Sequence, residues 1–412
     1  MNFTSPRVVF FIVLALYFSV QLYLFRRTED YIAANVRDRR RKKTLSAATA
    51  GFFVLMFVPL LWIIIFGLMA SHPHTSPMKT RMTLVFAIWA TGSIGSALVL
   101  GAYHFMQRAL ARLPLKPQPQ APDLGRRDFL KTGVGAVAAA PFLLSGYGAL
   151  MERKRFELEH FDFRLDGLSS ALSGLTVVQL TDIHVGPFMP GEELAACVEA
   201  VNRLEPDFIA LTGDFVASSP SELDPCVEAL SRLKARHGIY ACLGNHDVYA
   251  GIEDEMTRRF AENNIVMLRN AAVTHRIGNS AINILGIEDL RTGAPHLPWA
   301  LAAAKKDPGE VRLLLSHRPE IFPEAAMKGV EMVLSGHYHG GQIKVGPEAA
   351  NLSIARLLTP YVDGKYLLPR RRDARSDAKT STLFVGRGIG ITGLPIRINC
   401  PPQIAHLTLK KA

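Results

Sequence analysis

Five short segments in the C-terminal two thirds of the chain each end an apolar run with residues that bind metal ions. The apolar runs are LTVVQL, FIALT, GIYACL, VRLLL and EMVL. Short runs rich in Val, Ile and Leu, bounded by glycine and turn residues, are typical of parallel strands covered on both faces. Helical patterns lie between the runs, so the strands are expected to end at one sheet edge, where α/β proteins bind ligands.

The residues that follow these strands are Asp, Asn and His, a combination that core packing does not explain. They are Asp182, His184, Asp214, Asn245, His246, Asp247, His317, His337 and His339. Carboxylate and amide oxygens mixed with neutral imidazoles suit Mn, Fe, Zn or Mg ions, and no cysteine joins the cluster. A mononuclear site needs only three or four protein ligands. The larger set therefore indicates two divalent metal ions, which would generate hydroxide and hold the oxygens of a displacement at phosphorus.

The order of these motifs resembles that of the calcineurin-like metallophosphoesterase superfamily. The superfamily motifs D-x-H, GD, GNHD, H and GHxH match TDIH, TGDF, GNHD, SHRP and GHYHGGQ in this chain. The resemblance covers about Leu175 to Pro402, and the tail GRGIGITGLPIRINCPP resembles that of a membrane-associated bacterial branch. It implies an α/β fold, a four-layer α-β-β-α sandwich in which two mixed sheets pack between helices.

The resemblance also implies a role for each candidate residue. Four residues would hold a first metal ion: Asp182, His184, Asp214 and His339. Asp214 would bridge to a second ion, which three further residues would hold: Asn245, His317 and His337. His246 would be the general acid or the transition-state stabiliser, oriented by Asp247, because a protonated imidazole can neutralise a developing charge.

Two departures from related sequences narrow the expected substrate. Ser/Thr protein phosphatases of this superfamily have an Asp-Arg pair after GD and end their third motif in Glu. This chain has GDFVAS, and Asp247 follows His246, which disfavours a protein phosphatase.

Tyr338, between two histidines, is expected to face the substrate. Arg387 in GRGIG is a second candidate substrate contact, although a glycine-rich turn of this kind is more often structural.

The first 150 residues predict a transmembrane helical region. Val8–Phe25, Ala47–Ala70 and Met82–Met106 are uncharged and apolar, and each is long enough to cross a hydrocarbon core about 30 Å thick. Gly133–Leu150 is a weaker fourth span, because it is rich in Gly and Ala. The predicted organisation is a transmembrane region over 1–110, a cytoplasmic linker and fourth span over 111–150, and a catalytic domain over 151–412.

Charge distribution predicts the orientation of these spans. Residues 1–150 hold 17 Lys and Arg against 5 Asp and Glu, whereas the remaining residues are close to neutral. This distribution is typical of a membrane protein whose charges set its topology. It excludes nucleic acid as a partner, because nucleic-acid binding would need the excess of basic residues on the catalytic domain. Positive-inside logic places Arg37–Lys43 and Arg108–Lys131 in the cytoplasm. The chain is thus expected to be a multi-pass protein of the cytoplasmic membrane with an extracytoplasmic catalytic domain, although Arg153–Arg155 argues against this orientation.

The segment Gly125–Lys131, GRRDFLK, followed by a moderately apolar stretch, resembles a twin-arginine export signal. The twin-arginine export machinery is therefore an expected partner. The alternative is an ordinary anchor with positive flanks. The position after three spans is unusual for such a signal, and Gly125 stands where the pattern prefers Ser or Thr.

Together these features predict a membrane-anchored phosphoesterase with two metal ions and a metal-activated hydroxide. The sequence leaves open phosphomonoester, phosphodiester and pyrophosphate substrates, and the adjacent lipid bilayer makes lipid-linked or envelope phosphoesters candidates. The alternative is a non-catalytic membrane sensor or scaffold with a structural metal site, which would need neither an open metal position nor His246. The four cysteines match no metal motif, and small buried hydrophobes are their expected role.

Overall fold

A computed structural model of the chain describes residues 6–68, 77–113, 124–304, 310–346, 352–370 and 379–412. The chain divides into two compact units, Met1–Leu150 and Met151–Ala412. The described part of the first unit is helical: α1 (Pro6–Asn35), α2 (Arg39–Leu55), α3 (Val58–Leu68), α4 (Pro77–Ala111) and α5 (Leu124–Leu150).

Four segments of the described chain are long and apolar enough to cross a membrane. They are Phe11–Asn35, Arg39–Ile64, Pro77–Ala111 and Gly133–Lys154. Each overlaps one of the predicted apolar stretches, and the second is interrupted between α2 and α3. The predicted linker Pro114–Pro122 lies outside the described residues.

The basic run Arg37–Lys43 leads directly into a helix, because α2 begins at Arg39. Asp38 is the N-cap of α2 and accepts a hydrogen bond from the Arg41 amide at 2.7 Å. Arginine and lysine are good helix formers, so the run continues directly into the apolar part of α2. The segment GRRDFLK likewise lies within the first turns of α5.

Small residues allow α4 and α5 to pack closely. A Cβ atom on Gly92 would lie 2.3 Å from the Phe142 ring, so only glycine fits at this crossing. Thr91 donates a hydrogen bond to the Ser145 hydroxyl at 2.8 Å. Close approach over small residues, supported by hydroxyl hydrogen bonds, is how helices associate inside a bilayer.

The described part of the second unit contains two six-stranded sheets. The first has the spatial order β1 (Glu157–Leu165), β12 (Gln403–Lys411), β2 (Thr176–Leu180), β3 (Phe208–Thr212), β4 (Gly238–Cys242) and β5 (Ile265–Met267). The second has the order β10 (Gly364–Pro369), β11 (Thr380–Val385), β9 (Met332–Ser335), β8 (Val311–Leu315), β7 (Ser280–Gly286) and β6 (Ala271–Ile277). Strands β2 to β5 are parallel, as are β7, β8 and β9.

The helices of this unit are α6 (Gly191–Asn202), α7 (Leu223–Leu230), α8 (Asn245–Tyr249), α9 (Glu253–Glu262), α10 (Leu297–Ala303) and α11 (Phe322–Met327). One apolar core joins α6, α7 and α9 to the first sheet, and a second fills the space between the two sheets. A third joins α10 and α11 to the second sheet. The predicted four-layer α-β-β-α sandwich is therefore confirmed.

The five predicted strands are β2, β3, β4, β8 and β9, but they do not share one sheet edge as their pattern suggested. The first three lie in one sheet and the last two in the other. The expectation of a single edge is corrected accordingly: the loops from two stacked sheets converge on one site.

Candidate metal centre

The metal-binding residue types converge at the carboxyl ends of the five strands. Asp182 and His184 follow β2, Asp214 follows β3, and Asn245 begins α8 after β4. His317 follows β8, and His337 and His339 follow β9. All of them are buried except His337, which is half-buried. The structure thus brings together the seven residues that the sequence analysis assigned to two metal ions.

The backbone at this site is held in an unusual conformation. Five of the seven residues have a positive φ: Asp182 (50°), His184 (48°), Asp214 (56°), His337 (75°) and His339 (51°). A non-glycine residue in the left-handed region costs on the order of 1 kcal/mol or more, and such residues cluster at functional sites. Folding of the surrounding sheets therefore stabilises a local geometry that the loops would not adopt alone.

Two glycines permit the close approach of these loops. A Cβ atom on Gly244 would lie 2.2 Å from Asp214 Oδ1, and one on Gly336 would lie 2.1 Å from Asp182 Oδ2. Any side chain at either position would collide with a carboxylate of the site. Gly244 of GNHD and Gly336 of GHYH are thus required for steric reasons.

One group of candidate ligands consists of Asp182, His184 and His339. His184 Nε2 lies 3.0 Å from His339 Nε2, and Asp182 Oδ1 lies 3.3 Å from that same His339 atom. Burial lowers the pKa of His184 to about 3, and burial followed by the charge of His184 lowers the pKa of His339 well below its ordinary value. Both imidazoles are therefore neutral at pH 7, which is the form that binds metal.

A second group consists of Asp214, His317 and His337. Asp214 Oδ2 lies 3.2 Å from His317 Nε2 and 3.5 Å from His184 Nε2, so this oxygen lies between the two groups. Burial opposes a charged His317, yet the Asp214 carboxylate raises its pKa to about 10. Burial likewise opposes a charged Asp214, but His317 holds the pKa of that carboxyl well below its usual range. His317 and Asp214 thus form a buried ion pair.

The donor atoms in the first group fit a divalent cation. His339 Nε2 lies 3.0 Å from a neutral imidazole nitrogen and 3.3 Å from a carboxylate oxygen, and the donor atoms of the three buried residues all lie within 4.8 Å of one another. At most one proton can lie between His184 and His339, whereas a divalent ion would bind a lone pair from each residue. Burial raises the pKa of Asp182 to about 6, so this carboxyl is mostly ionised at pH 7.

Arg318 lies beside the second group and was not identified from the sequence. Its Nη2 donates to Asn245 Oδ1 at 3.0 Å, and its Nη1 lies 2.5 Å from His337 Nε2. Asp289, in the loop after β7, holds the guanidinium through an ion pair of 2.8 Å. The signal that could have found this pair is an acidic residue after a sixth buried strand, AINILGIEDL.

His246 lies next to the candidate ligands, with its ring centroid 4.6 Å from that of His184. Its Nδ1 lies 2.5 Å from the carbonyl oxygen of Ala217, so this nitrogen carries a proton and donates it. His246 also forms a possible third ligand group with His184 and Asp214. The geometry thus allows His246 either to exchange protons through Nε2 or to bind a metal ion.

Asp247 does not orient the His246 ring as expected, because its carboxylate is bound to the backbone. Its Oδ2 accepts from the amides of Gly244 (2.8 Å) and Asp214 (3.0 Å). Its Oδ1 accepts from the amides of Phe215 (2.8 Å) and Val216 (3.3 Å). Burial, and then the charge of Asp214, raise the pKa of Asp247 to about 7 against the effect of these amides. Asp247 therefore holds the Asp214 loop, and Ala217 orients His246.

Tyr338 and Arg387 were the two candidate substrate contacts. Tyr338 is half-buried, with its ring centroid 4.7 Å from that of His337, and its hydroxyl donates to Glu320. Arg387 points elsewhere: its Nη2 lies 3.1 Å from Glu159 Oε1, and its Nε donates to the Pro401 carbonyl. Carboxylates of β1 thus bind its guanidinium, which favours the structural role of this glycine-rich turn that the sequence analysis left open.

The sequences of known proteins place this chain in a family. A model of the calcineurin-like phosphoesterase family matches residues 175–341. An uncharacterized metallophosphoesterase of Helicobacter pylori is 30% identical, over 69% of this chain and 71% of its own length. The chain belongs to the calcineurin-like metallophosphoesterase family. Its seven converging residues all lie within the matched range.

Two further family relatives are similar over most of their length. A transmembrane protein with a metallophosphoesterase domain from Danio rerio is 26% identical, over 97% of this chain and 91% of its own length. An uncharacterized metallophosphoesterase of Bacillus subtilis is 27% identical, over 70% of this chain and 98% of its own length. The similar proteins therefore come from animals as well as from bacteria.

One buried residue beyond the range matched by the family model also supports the site. Arg397 is fully buried, and its Nη2 donates to the carbonyls of Arg387, Gly388 and Gly390 at 2.6–3.1 Å. The same nitrogen lies 3.5 Å from His339 Nδ1. Arg397 thus fixes the GRGIG turn against the first ligand group, a role that its place in an irregular tail did not reveal.

Proposed function

We propose that this chain is a membrane-anchored phosphoesterase that hydrolyses its substrate with two divalent metal ions. Asp182, His184, Asp214 and His339 would hold the first ion, and Asn245, His317 and His337 would share Asp214 to hold the second. The observation that carries this proposal is the position of Asp214 Oδ2, 3.5 Å from His184 Nε2 and 3.2 Å from His317 Nε2. A carboxylate oxygen between two sets of ligands is suited to bridge two ions.

Bound ions of this kind lower the pKa of water and stabilise charge on phosphoryl oxygens. The chain itself supplies a proton donor beside them. The Ala217 carbonyl fixes one proton of His246 on Nδ1, so the protonated imidazole would carry its second proton on Nε2, give that proton to the leaving oxygen and take a proton from water afterwards. A metal site with a purely structural role would not need a half-buried histidine in this position.

The substrate that we propose is a phosphoester of the membrane or cell envelope. Four helical segments capable of crossing a bilayer precede the catalytic unit, and a full-length relative is named a transmembrane protein. A chain held at the bilayer meets lipid-linked phosphomonoesters, phosphodiesters and pyrophosphates at high local concentration.

We further propose that the chain resides in the cytoplasmic membrane with its catalytic unit on the outer side. The basic flanks Arg37–Lys43 and Arg108–Lys131 support this orientation by the positive-inside rule. The twin-arginine-like segment at Gly125–Lys131 makes the twin-arginine machinery a proposed partner, since it would export a unit already folded around its metals.

The test of the reaction uses the full chain, purified in detergent and loaded with Mn²⁺ or Zn²⁺. We expect close to two ions per chain and hydrolysis of a chromogenic phosphodiester or phosphomonoester. Asp214→Asn should weaken both ion sites and lower turnover at least a hundredfold, because it removes the bridging charge. The matched control is Asp224→Asn, since the Asp224 side chain is 80% exposed on α7. Full activity in Asp214→Asn protein, or with one ion per chain, would contradict the two-metal assignment.

A further inference from the structure

A cluster of exposed apolar side chains follows the loop that carries His337 and His339 in the chain. It consists of Val345, Leu352, Ile354, Leu357 and Leu358, whose exposed fractions are 66%, 57%, 81%, 85% and 74%. Ile354 and Leu357 are the ends of a short 3-10 helix. Large apolar groups exposed together mark a surface that is covered by a partner, whereas single exposed leucines need no explanation.

The backbone brings these side chains onto one part of the surface. Val345 and Leu352 are opposite each other in an antiparallel bridge, and the Val345 amide donates to the Leu352 carbonyl at 2.9 Å. Ser353 packs on Gly341, where an added Cβ atom would lie 2.4 Å from the serine hydroxyl. Gly341 is two residues from His339 in the sequence. The cluster is therefore attached to the same loop that carries a candidate metal ligand.

The features of the cluster fit a lipid bilayer better than a protein partner. Arg356 is exposed in the middle of the apolar residues, an arrangement that suits the boundary between anionic headgroups and acyl chains. The same chain carries four segments long enough to cross a membrane. Where these segments cross a membrane, the chain itself tethers the second unit to that bilayer, and even a weak surface contact becomes effective when it is intramolecular.

We propose that this cluster inserts into the surface of the bilayer and brings the metal centre to phosphoesters of membrane lipids. The apolar side chains would lie among the upper acyl chains, and Arg356 would contact headgroup phosphates. The insertion itself does not depend on the reaction. The choice of a lipid phosphoester as substrate rests on the proposed function, so the two parts need separate measurements.

Insertion can be measured on the full chain in nanodiscs of phosphatidylcholine and phosphatidylglycerol, with one chain in each disc. The four native cysteines are buried, so Leu357→Cys can be labelled selectively with an environment-sensitive fluorophore. We expect a blue-shifted emission that nitroxide lipids quench. The matched control is Met327→Cys, a position 64% exposed at the end of α11, which should show neither effect.

Two outcomes of this measurement would overturn the proposal. Equal quenching at both labelled positions would mean that the cluster has no preferred contact with lipid. A blue shift at position 357 without quenching by nitroxide lipids would mean that protein covers the cluster, either this chain's own helices or another molecule.

The kinetic measurement compares a phosphoester lipid in the bilayer with a water-soluble chromogenic phosphoester. The double variant Leu357→Ser with Leu358→Ser should lose about tenfold in kcat/KM for the lipid, because it removes apolar surface from the insertion. Hydrolysis of the soluble substrate should stay within about twofold of the unmodified protein. Equal loss on both substrates would contradict a docking role. A quenched label together with an inactive enzyme would retain docking and refute the proposed reaction.

Discussion

The carboxylate of Asp247 accepts a hydrogen bond from the backbone amide of Asp214 at 3.0 Å. In return, Asp214 Oδ1 accepts from the amide of His246 at 2.8 Å, so the loops after β3 and β4 hold each other. Each loop thereby fixes a residue of the other. The position of the Asp214 carboxylate therefore depends on these two hydrogen bonds as much as on β3, the strand that precedes it.

Substitution of Asp247 by Asn should destabilise the catalytic unit. Asn has one acceptor oxygen where Asp247 has two, and its amide group would face the N–H groups of two loop residues. Unpaired buried amides cost about 1–3 kcal/mol each, so we expect Tm to fall by about 5–10 °C. Thermal unfolding in detergent, followed by near-UV circular dichroism, measures the effect. A variant with unchanged Tm would show that these amide contacts contribute little.

Substitution of His246 by Ala should separate chemistry from coordination. If His246 transfers protons, the variant keeps the metal content of the unmodified protein and loses roughly 10²–10⁴ in turnover. Metal content is measured by elemental analysis and turnover with a chromogenic phosphoester. Loss of an ion in this variant would instead make His246 a ligand, as its position near His184 and Asp214 allows.

Metal binding should release a proton from His317. Its pKa of about 10 keeps the imidazole protonated at pH 7, whereas a metal ligand must be neutral. Lower pH therefore opposes binding, and affinity should rise about tenfold per pH unit from about pH 7 to pH 9. Calorimetric titration with Mn²⁺ in buffers of different ionisation enthalpy counts the protons. A binding enthalpy that is independent of the buffer would contradict this expectation.

Substitution of Arg397 by Lys should weaken both folding and metal binding. Lysine cannot reach the carbonyls of Arg387, Gly388, Gly390 and Cys400 together, which the planar guanidinium does. We expect a loss of about 3 kcal/mol in the free energy of unfolding and a lower affinity at the ion site that contains His339. Arg232→Lys, at an exposed arginine, is the matched control. Metal titration of both variants distinguishes a local from a general effect.

Fusion reporters test the orientation of the membrane region. Reporters active only outside the membrane should work after Ala412 and within Ser71–Arg81, and they should be silent in Arg37–Lys43 and Pro114–Pro122. Replacing Arg126 and Arg127 by Lys preserves charge, so orientation by the positive-inside rule should survive, whereas a receptor-read twin-arginine signal should fail. A silent reporter at Ala412 in the unmodified protein would place the catalytic unit in the cytoplasm.

Local pattern alone determined much of this protein. Short apolar runs bounded by turn residues predicted the strands β2, β3, β4, β8 and β9, because period and length reflect burial directly. The residues after those runs supplied the candidate ligands, since parallel strands present their following loops at the carboxyl ends. Uncharged stretches of sufficient length likewise predicted the helices of the membrane region.

Only the tertiary structure decided which groups contact one another. The pattern could not show that the five strands divide between two sheets. The residues of a strand indicate whether that strand is buried, but they do not indicate which strands pair with it. Arg318, Asp289 and Arg397 act through side chains that are distant in sequence, and Asp247 binds amides of the Asp214 loop instead of the adjacent histidine. Such contacts depend on long-range packing, for which local residue order carries little information. The sequence thus determined which chemical groups are available, and the packing of the two sheets determined which of these groups contact one another.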